Sequence, residues 1–139
     1  MVKETFSDKE TFEFGLELGI KANPGDIFCL DGDLGTGKTV IAKGIAVGLG
    51  IKEPVSSPTF TVVKEYRDGK LPFFHFDVYR IEEPAEMEEI GYEDYFFGNG
   101  VTVIEWSDMI KELIPDKAVR IRLKKDAGKG FDYRMIEIS

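Results

Sequence analysis

Eight residues constrain this chain more than any others: Gly32-Asp33-Leu34-Gly35-Thr36-Gly37-Lys38-Thr39. Their spacing is G-x-x-x-x-G-K-[ST], the pattern of a loop that cradles phosphate. Glycines let the backbone take positive φ and close around an anion. Successive N–H groups then point inward, and the helix that follows adds the partial positive charge of its amino terminus. The pattern demands a buried strand before it and a helix after it. The apolar run Ile27 to Leu30 supplies the first. Val40, Ile41, Ile45, Val47 and Leu49, closed by Gly50, supply the second. In this frame Gly32, Gly35, Thr36 and Gly37 would offer backbone to the phosphates. Lys38 would reach the β- and γ-phosphates, and Thr39 would give its hydroxyl to a magnesium ion.

Such a loop needs a second carboxylate near the metal, at the end of a buried strand. Two candidates compete. Glu105 closes the apolar run Val101 to Ile104, whose character suits a central strand. Asp77 lies in "FFHFDVYR", which alternates more, and reaches the nucleotide end of the sheet only if the register allows. The reading favours Glu105 on the metal side. His75, the chain's single histidine, shares a strand face with Asp77 and reads as a hydrogen-bonded structural residue. No Cys/His cluster indicates zinc, and no G-x-S-x-G indicates a serine hydrolase.

Elsewhere the pattern predicts one α/β domain over residues 1–139. Its sheet is mixed and mostly parallel, flanked by helices, with antiparallel hairpins at the edges. Val2 to Phe6 reads as an edge strand. Ser7 and Glu10 have capping-box spacing, and Phe12, Leu16 and Ile20 recur on one face of a helix running to about Ala22. Phe60 to Tyr66 and Leu71 to Ile81 read as a hairpin around Asp68-Gly69. Pro84 opens an acidic helix to Gly91, followed by a helical turn at 92–97. Ser107 to Ile114 is a short helix stopped by Pro115. Strands around Ile121 and Ile136 close the chain as a hairpin across "DAGKG".

Lys and Arg number 18 against 26 Asp and Glu, a net charge of −8, so an extended nucleic-acid footprint is not expected. No apolar run is long enough to span a bilayer, and "MVKETFSDKE" has no signal-like apolar core. With one cysteine, Cys29, the usage suits the cytoplasm.

Together, "GDLGTGKT", "SSPTFTVVKEY" at 56–66, "HFDVYR" at 75–80 and "VIEW" at 103–106 resemble the bacterial TsaE family, also called YjeE. The resemblance runs from about residue 7 to 123. It implies a small cytoplasmic ATPase required for threonylcarbamoyladenosine at position 37 of tRNAs that read codons beginning with A. Members act with TsaB and with the transferase TsaD, while TsaC supplies threonylcarbamoyl-adenylate. Contact with tRNA would be indirect, through those partners. By the same resemblance, Lys38 and Thr39 hold phosphate and magnesium, Glu105 is the second metal-side group, and Asp77 orients the attacking water. Thr59 lies in a nucleotide-sensing loop, and Trp106 lies beside the nucleotide. Many members carry Thr where this chain has Val40, which loses a hydroxyl near the α-phosphate.

Other readings remain open on the residues alone. A small-molecule kinase would need an arginine-bearing lid, and none of the five arginines lies in a long insertion. A GTPase would need N-K-x-D, which is missing. A nucleotide-gated adaptor would look the same in sequence. Arg80, three residues after Asp77, would project from the opposite strand face and serve poorly as a catalytic cation.

Overall fold

The computed structural model describes all 139 residues. Seven strands form one sheet: β1 (Val2–Thr5), β2 (Ile27–Gly32), β3 (Val63–Tyr66), β4 (Phe73–Asp77), β5 (Val101–Glu105), β6 (Val119–Lys124) and β7 (Arg134–Ile138). Their order across the sheet is β1-β7-β6-β2-β5-β4-β3. The four central strands, β6-β2-β5-β4, run parallel, and each flank is antiparallel. This is the mixed α/β sheet that the sequence predicts, with the β3–β4 and β6–β7 hairpins in the expected places.

Helices α1 (Asp8–Lys21) and α2 (Lys38–Gly48) cover one face. The short helices α3 (Glu86–Ile90) and α4 (Tyr92–Phe96), with a 3₁₀ segment at Ser107–Leu113, cover the other. Alternation along each strand sorts the side chains between two cores. Phe28, Leu30, Phe73, Val101 and Val103 face α1 and α2. Ile27, Cys29, Phe74, Phe76 and Ile104 face the short helices.

Several boundaries differ from the sequence reading. The first hairpin strand begins at Val63, because Thr59 to Thr61 form a turn closed by Val62 N–H donating to the Pro58 carbonyl (2.9 Å). β4 ends at Asp77, because Val78 to Ile81 turn back, with Ile81 N–H donating to the Val78 carbonyl (3.1 Å). The helix expected at 107–114 is 3₁₀ and breaks at Ile110, whose φ is −130°.

The amino-terminal cap of α1 forms as predicted on its Ser7 side. Ser7 Oγ accepts from the Glu10 N–H (3.1 Å), while Glu10 reaches the Phe6 N–H (3.4 Å) rather than that of Ser7.

The buried face of α1 is not the expected Phe12-Leu16-Ile20 stripe; Ile20 is exposed. It is Thr11, Phe14, Gly15 and Gly19. The reason lies in α2, which carries Gly44 and Gly48. A Cβ on Gly15 would stand 2.4 Å from the Ile41 carbonyl oxygen, and one on Gly19 2.2 Å from that of Ile45. In return, a Cβ on Gly44 would stand 2.3 Å from the Phe12 carbonyl oxygen, and one on Gly48 2.4 Å from that of Leu16. The two helices meet backbone to backbone through two small-xxx-small faces, and apolar periodicity does not register such a face.

Gly19→Ala should therefore destabilise the fold by about 1–3 kcal/mol, despite the helix propensity that alanine adds. Urea unfolding would show a lower midpoint at unchanged slope. Ile20→Ala, on the exposed side of the same helix, should stay within about 0.5 kcal/mol of wild type. Stabilisation by Gly19→Ala would show that the helices do not approach this closely.

Candidate functional site

The site lies at the carboxyl ends of β2, β5 and β4, where open α/β sheets place ligands. Gly32 ends β2 at a φ of 148°. A Cβ there would stand 2.6 Å from the Leu123 carbonyl oxygen and 2.9 Å from Thr36 Oγ1, so only glycine fits beneath β6. Gly37 takes a φ of 103° and turns the chain into α2. Between them, Thr36 Oγ1 donates to the Asp33 carbonyl (2.8 Å) and ties the loop to itself.

A cavity of about 680 Å³ opens above this loop, within the range of small-molecule sites. Of the residues singled out in the sequence, Gly35, Gly37, Lys38, Thr39, Val40, Thr59, Asp77, Glu105 and Trp106 line it. Gly32 and Thr36 do not. They sit behind the loop, in a smaller cavity with Arg122 and Lys124, and shape the wall rather than form it.

Asp77 and Glu105 are register partners on the adjacent parallel strands β4 and β5. Both therefore point to the α2 side, which resolves the register question left open by the sequence. Glu105 is 2% exposed and serves as a hub. Thr39 Oγ1 donates to both of its oxygens, at 3.0 and 3.2 Å. His75, fully buried, meets it through Nε2 at 2.5 Å. Against an ionised Glu105 that nitrogen carries the proton. Nδ1 of His75 has no partner. The expected hydrogen-bonded histidine is thus found, and its partner is the metal-side candidate.

Asp77 is held differently. Ser57 Oγ donates to its Oδ2 (2.8 Å), and the Tyr79 N–H to its Oδ1 (3.1 Å). Thr59 Oγ1 lies 3.3 Å from Ser57 Oγ. Ser57 and Thr59 belong to a loop whose Val62 takes a φ of 69°, an unusual conformation for a β-branched side chain.

Lys38 Nζ donates to the Gly32 and Asp33 carbonyls, at 2.8 and 2.9 Å. It also lies 3.9 Å from the centroid of the Trp106 ring, a cation–π distance. Burial lowers the pKa of its ammonium, and the surrounding carboxylates Glu105, Asp31 and Asp77 pull it back up. Trp106 has a φ of 63° and packs on Tyr79, with ring centroids 4.8 Å apart.

Arg80 lines the same cavity, contrary to the sequence reading. The alternation that would send it to the opposite face stops at Asp77, and the turn at 78–81 returns it to the site.

Four contributors escaped the sequence reading. Ser57 stands in the quoted "SSPTF", where only Thr59 was singled out. Asp31 accepts from Ser107 Oγ and from the Asp108 N–H (3.1 Å), which pins the backbone just after Trp106. Arg134, 7% exposed, donates Nε to the Thr36 carbonyl (2.7 Å) and braces the glycine loop from β7. Phe131, 91% exposed, lines the cavity from the β6–β7 hairpin. Arg134 lies 98 residues from Thr36, beyond any local motif.

The chemistry suits a chain of phosphates. The glycine loop and α2 offer N–H groups, Lys38 offers a cation, and Thr39 with Glu105 offers hard oxygen donors of the kind magnesium takes. No three His, Cys, Asp or Glu side chains converge as a metal cluster. An ion here would share its shell with phosphate oxygens and water, as magnesium does.

The family model for "Threonylcarbamoyl adenosine biosynthesis protein TsaE" matches residues 5–134. The tRNA threonylcarbamoyladenosine biosynthesis protein TsaE of Bacillus subtilis is 46% identical over 95% of this chain and 80% of its own length. The TsaE protein of Treponema pallidum is 38% identical over 85% of this chain and 87% of its own. Among solved structures, the crystal structure of Bacillus subtilis YdiB superposes with a TM-score of 0.80 at 38% identity. It covers 98% of this chain and 82% of that one.

Burial raises the pKa of the Asp31 carboxyl above its ordinary 3.8, against the hydrogen bonds from Ser107 and Asp108. A carboxyl so shifted binds its proton more tightly in the folded chain. Its contribution to stability is complete below the ordinary value and is lost as pH rises through the folded one. Asp31→Asn keeps an acceptor for the Asp108 N–H and removes the buried charge. Relative to wild type, it should gain stability as pH rises above about 4, and the gain should level off once the wild-type carboxyl is ionised in the folded chain. Urea unfolding at several pH values measures this; a gain independent of pH would exclude the titration.

Proposed function

The chain belongs to the TsaE family, and we propose that it serves tRNA threonylcarbamoyladenosine formation by binding and hydrolysing ATP with magnesium, in complex with TsaB and TsaD. The observation that carries this reading is the convergence of Lys38, Thr39, Asp77 and Glu105 on one cavity above the glycine loop.

In this reading the loop's N–H groups and Lys38 bind the phosphates. Lys38 exchanges its contacts with Gly32 and Asp33 for the β- and γ-phosphate oxygens. Thr39 and Glu105 would hold magnesium, which supplies charge neutralisation across the phosphates when bound. His75 keeps the Glu105 carboxylate oriented. Asp77, aimed by Ser57 and the Tyr79 N–H, orients water. The water oxygen bonds to the γ-phosphorus, and the bond to the β–γ bridging oxygen breaks. Its electron pair stays on ADP, and the water's proton passes by way of Asp77 to an oxygen of the released phosphate.

The acidic balance of the chain supports an indirect link to tRNA, with the partners contacting the RNA. No helix is long and apolar enough to cross a membrane. We place the protein in the cytoplasm, where tRNA modification occurs.

Lys38→Ala should abolish useful ATP binding, since a charge-assisted contact of about 1.5–3 kcal/mol is lost. Calorimetry showing unchanged affinity would remove the assignment. The two carboxylates should separate. Glu105→Ala should weaken the magnesium dependence of ATP binding, as should Thr39→Ala. Asp77→Asn should bind MgATP nearly normally and lose turnover. The opposite pattern would mean that the two roles are exchanged. Turnover of the isolated protein should be slow, on the order of 10⁻² per second or below. It should rise with the TsaB–TsaD pair, whose affinity nucleotide should raise in return.

A further inference from the structure

The chain has five arginines; three are committed elsewhere and a fourth lies away from the cavity. Arg67 pairs with Glu65 (2.6 Å) and Arg122 with Asp108 (2.7 Å). Arg134 is buried among the carbonyls of Gly35, Thr36, Phe131 and Tyr133. Arg120 lies on β6, outside the cavity wall. Arg80 is exposed, lines the cavity, and forms no ion pair with any carboxylate. Its guanidinium lies over the ring of Phe60, 4.8 Å from the centroid, and that ring is 84% exposed.

Position along the cavity gives Arg80 a chemical meaning. Lys125 approaches the loop at Gly35, where a Cβ would stand 3.4 Å from its amine. Arg80 belongs to the Asp77 side of the cavity. It follows Asp77 by one tight turn, which the Tyr79 N–H fastens to Asp77 itself (3.1 Å). Its neighbour Tyr79 packs on Trp106, and Trp106 on Lys38. This is the end at which the terminal phosphate would meet Lys38 and Asp77. A γ-phosphoryl transition state spreads negative charge over its oxygens, and an exposed, unpaired guanidinium is the group that answers it.

Resting on the proposed ATPase reading, we infer that Arg80 is a catalytic cation supplied in cis to the terminal phosphoryl group, and that the face of Phe60 is its resting place while the site is open. The arginine makes and breaks no covalent bond. It exchanges a cation–π contact in water for charge-assisted hydrogen bonds to the phosphoryl oxygens. Phe60 lies one residue after Thr59, so the loop that carries Ser57 and Thr59 also carries the perch. Closing the site over nucleotide would release that ring.

The test compares Arg80→Ala, Arg80→Lys and Phe60→Ala in the full-length protein. Turnover is read as single-turnover hydrolysis of labelled ATP. Binding is read by calorimetry with MgADP, alone and with aluminium fluoride, which mimics the phosphoryl group in flight. Arg80→Ala should bind MgADP like wild type, which also reports an intact fold. It should lose the tightening by aluminium fluoride and slow hydrolysis by about 10²-fold. Arg80→Lys should recover part of both, as a point charge without the fork. Phe60→Ala should be at least as fast as wild type, because it frees the arginine. Parallel losses in Arg80→Ala and Phe60→Ala would make the pair a mere brace for the loop and overturn the inference. So would an Arg80→Ala protein that behaves as wild type throughout, and in that case an inactive Lys38→Ala would leave the ATPase reading standing. A wild-type protein that binds neither MgATP nor MgADP would overturn that reading, and the inference with it.

Discussion

A buried carboxylate has to be satisfied, and much of this structure follows from satisfying Glu105. An unpaired charge at 2% exposure would cost several kcal/mol. Three groups answer it. Thr39 comes from the first turn of α2, His75 from β4, and the ammonium of Lys38 stands close enough to act on the same field. These contacts draw the start of α2 to the end of β5. The glycine loop must then bridge the distance from β2, and it can do so only with positive φ at Gly35 and Gly37. The conformation that suits an anion is thus also the one that lets α2 reach its carboxylate.

The site is preorganised unevenly. Around Glu105 and the glycine loop, each group is held by partners that are themselves buried: Arg134 from β7, Asp31 from β2, His75 from β4. Around Asp77 the supports are a serine hydroxyl from a loop and a turn N–H. That side also carries Val62 in a left-handed conformation and two aromatic residues, Phe60 and Tyr79, in contact with water. In the proposed ATPase, phosphate and metal would be held by the buried half, and water would be oriented by the more exposed one.

The residues legible in the sequence were those whose chemistry is local. The glycine loop, the strand before it and the helix after it lie in one continuous run, so spacing alone placed Lys38 and Thr39 on the cavity wall. The apolar run 101–105 marked β5 and its terminal glutamate. Legibility failed where a feature is made by distant parts. Arg134 braces a loop almost a hundred positions away. Asp31 looks like any polar residue at a strand end until Ser107 and Asp108 are brought to it. The α1 face was misread because two of its four buried residues are glycines, and a hydropathy period sees only side chains. Arg80 was misplaced by extending a strand four residues too far, through a turn that a single backbone hydrogen bond creates.

The interlocked glycines of α1 and α2 act as a key in a keyway. Each backbone lies in a notch of the other, so neither helix can rotate or slide by a fraction of a turn without striking a carbonyl. The amino terminus of α2 is therefore tied to α1 as well as to the sheet. The opposite bank, where the segments at 57–62 and 78–81 meet across one aromatic ring and one guanidinium, has no such lock.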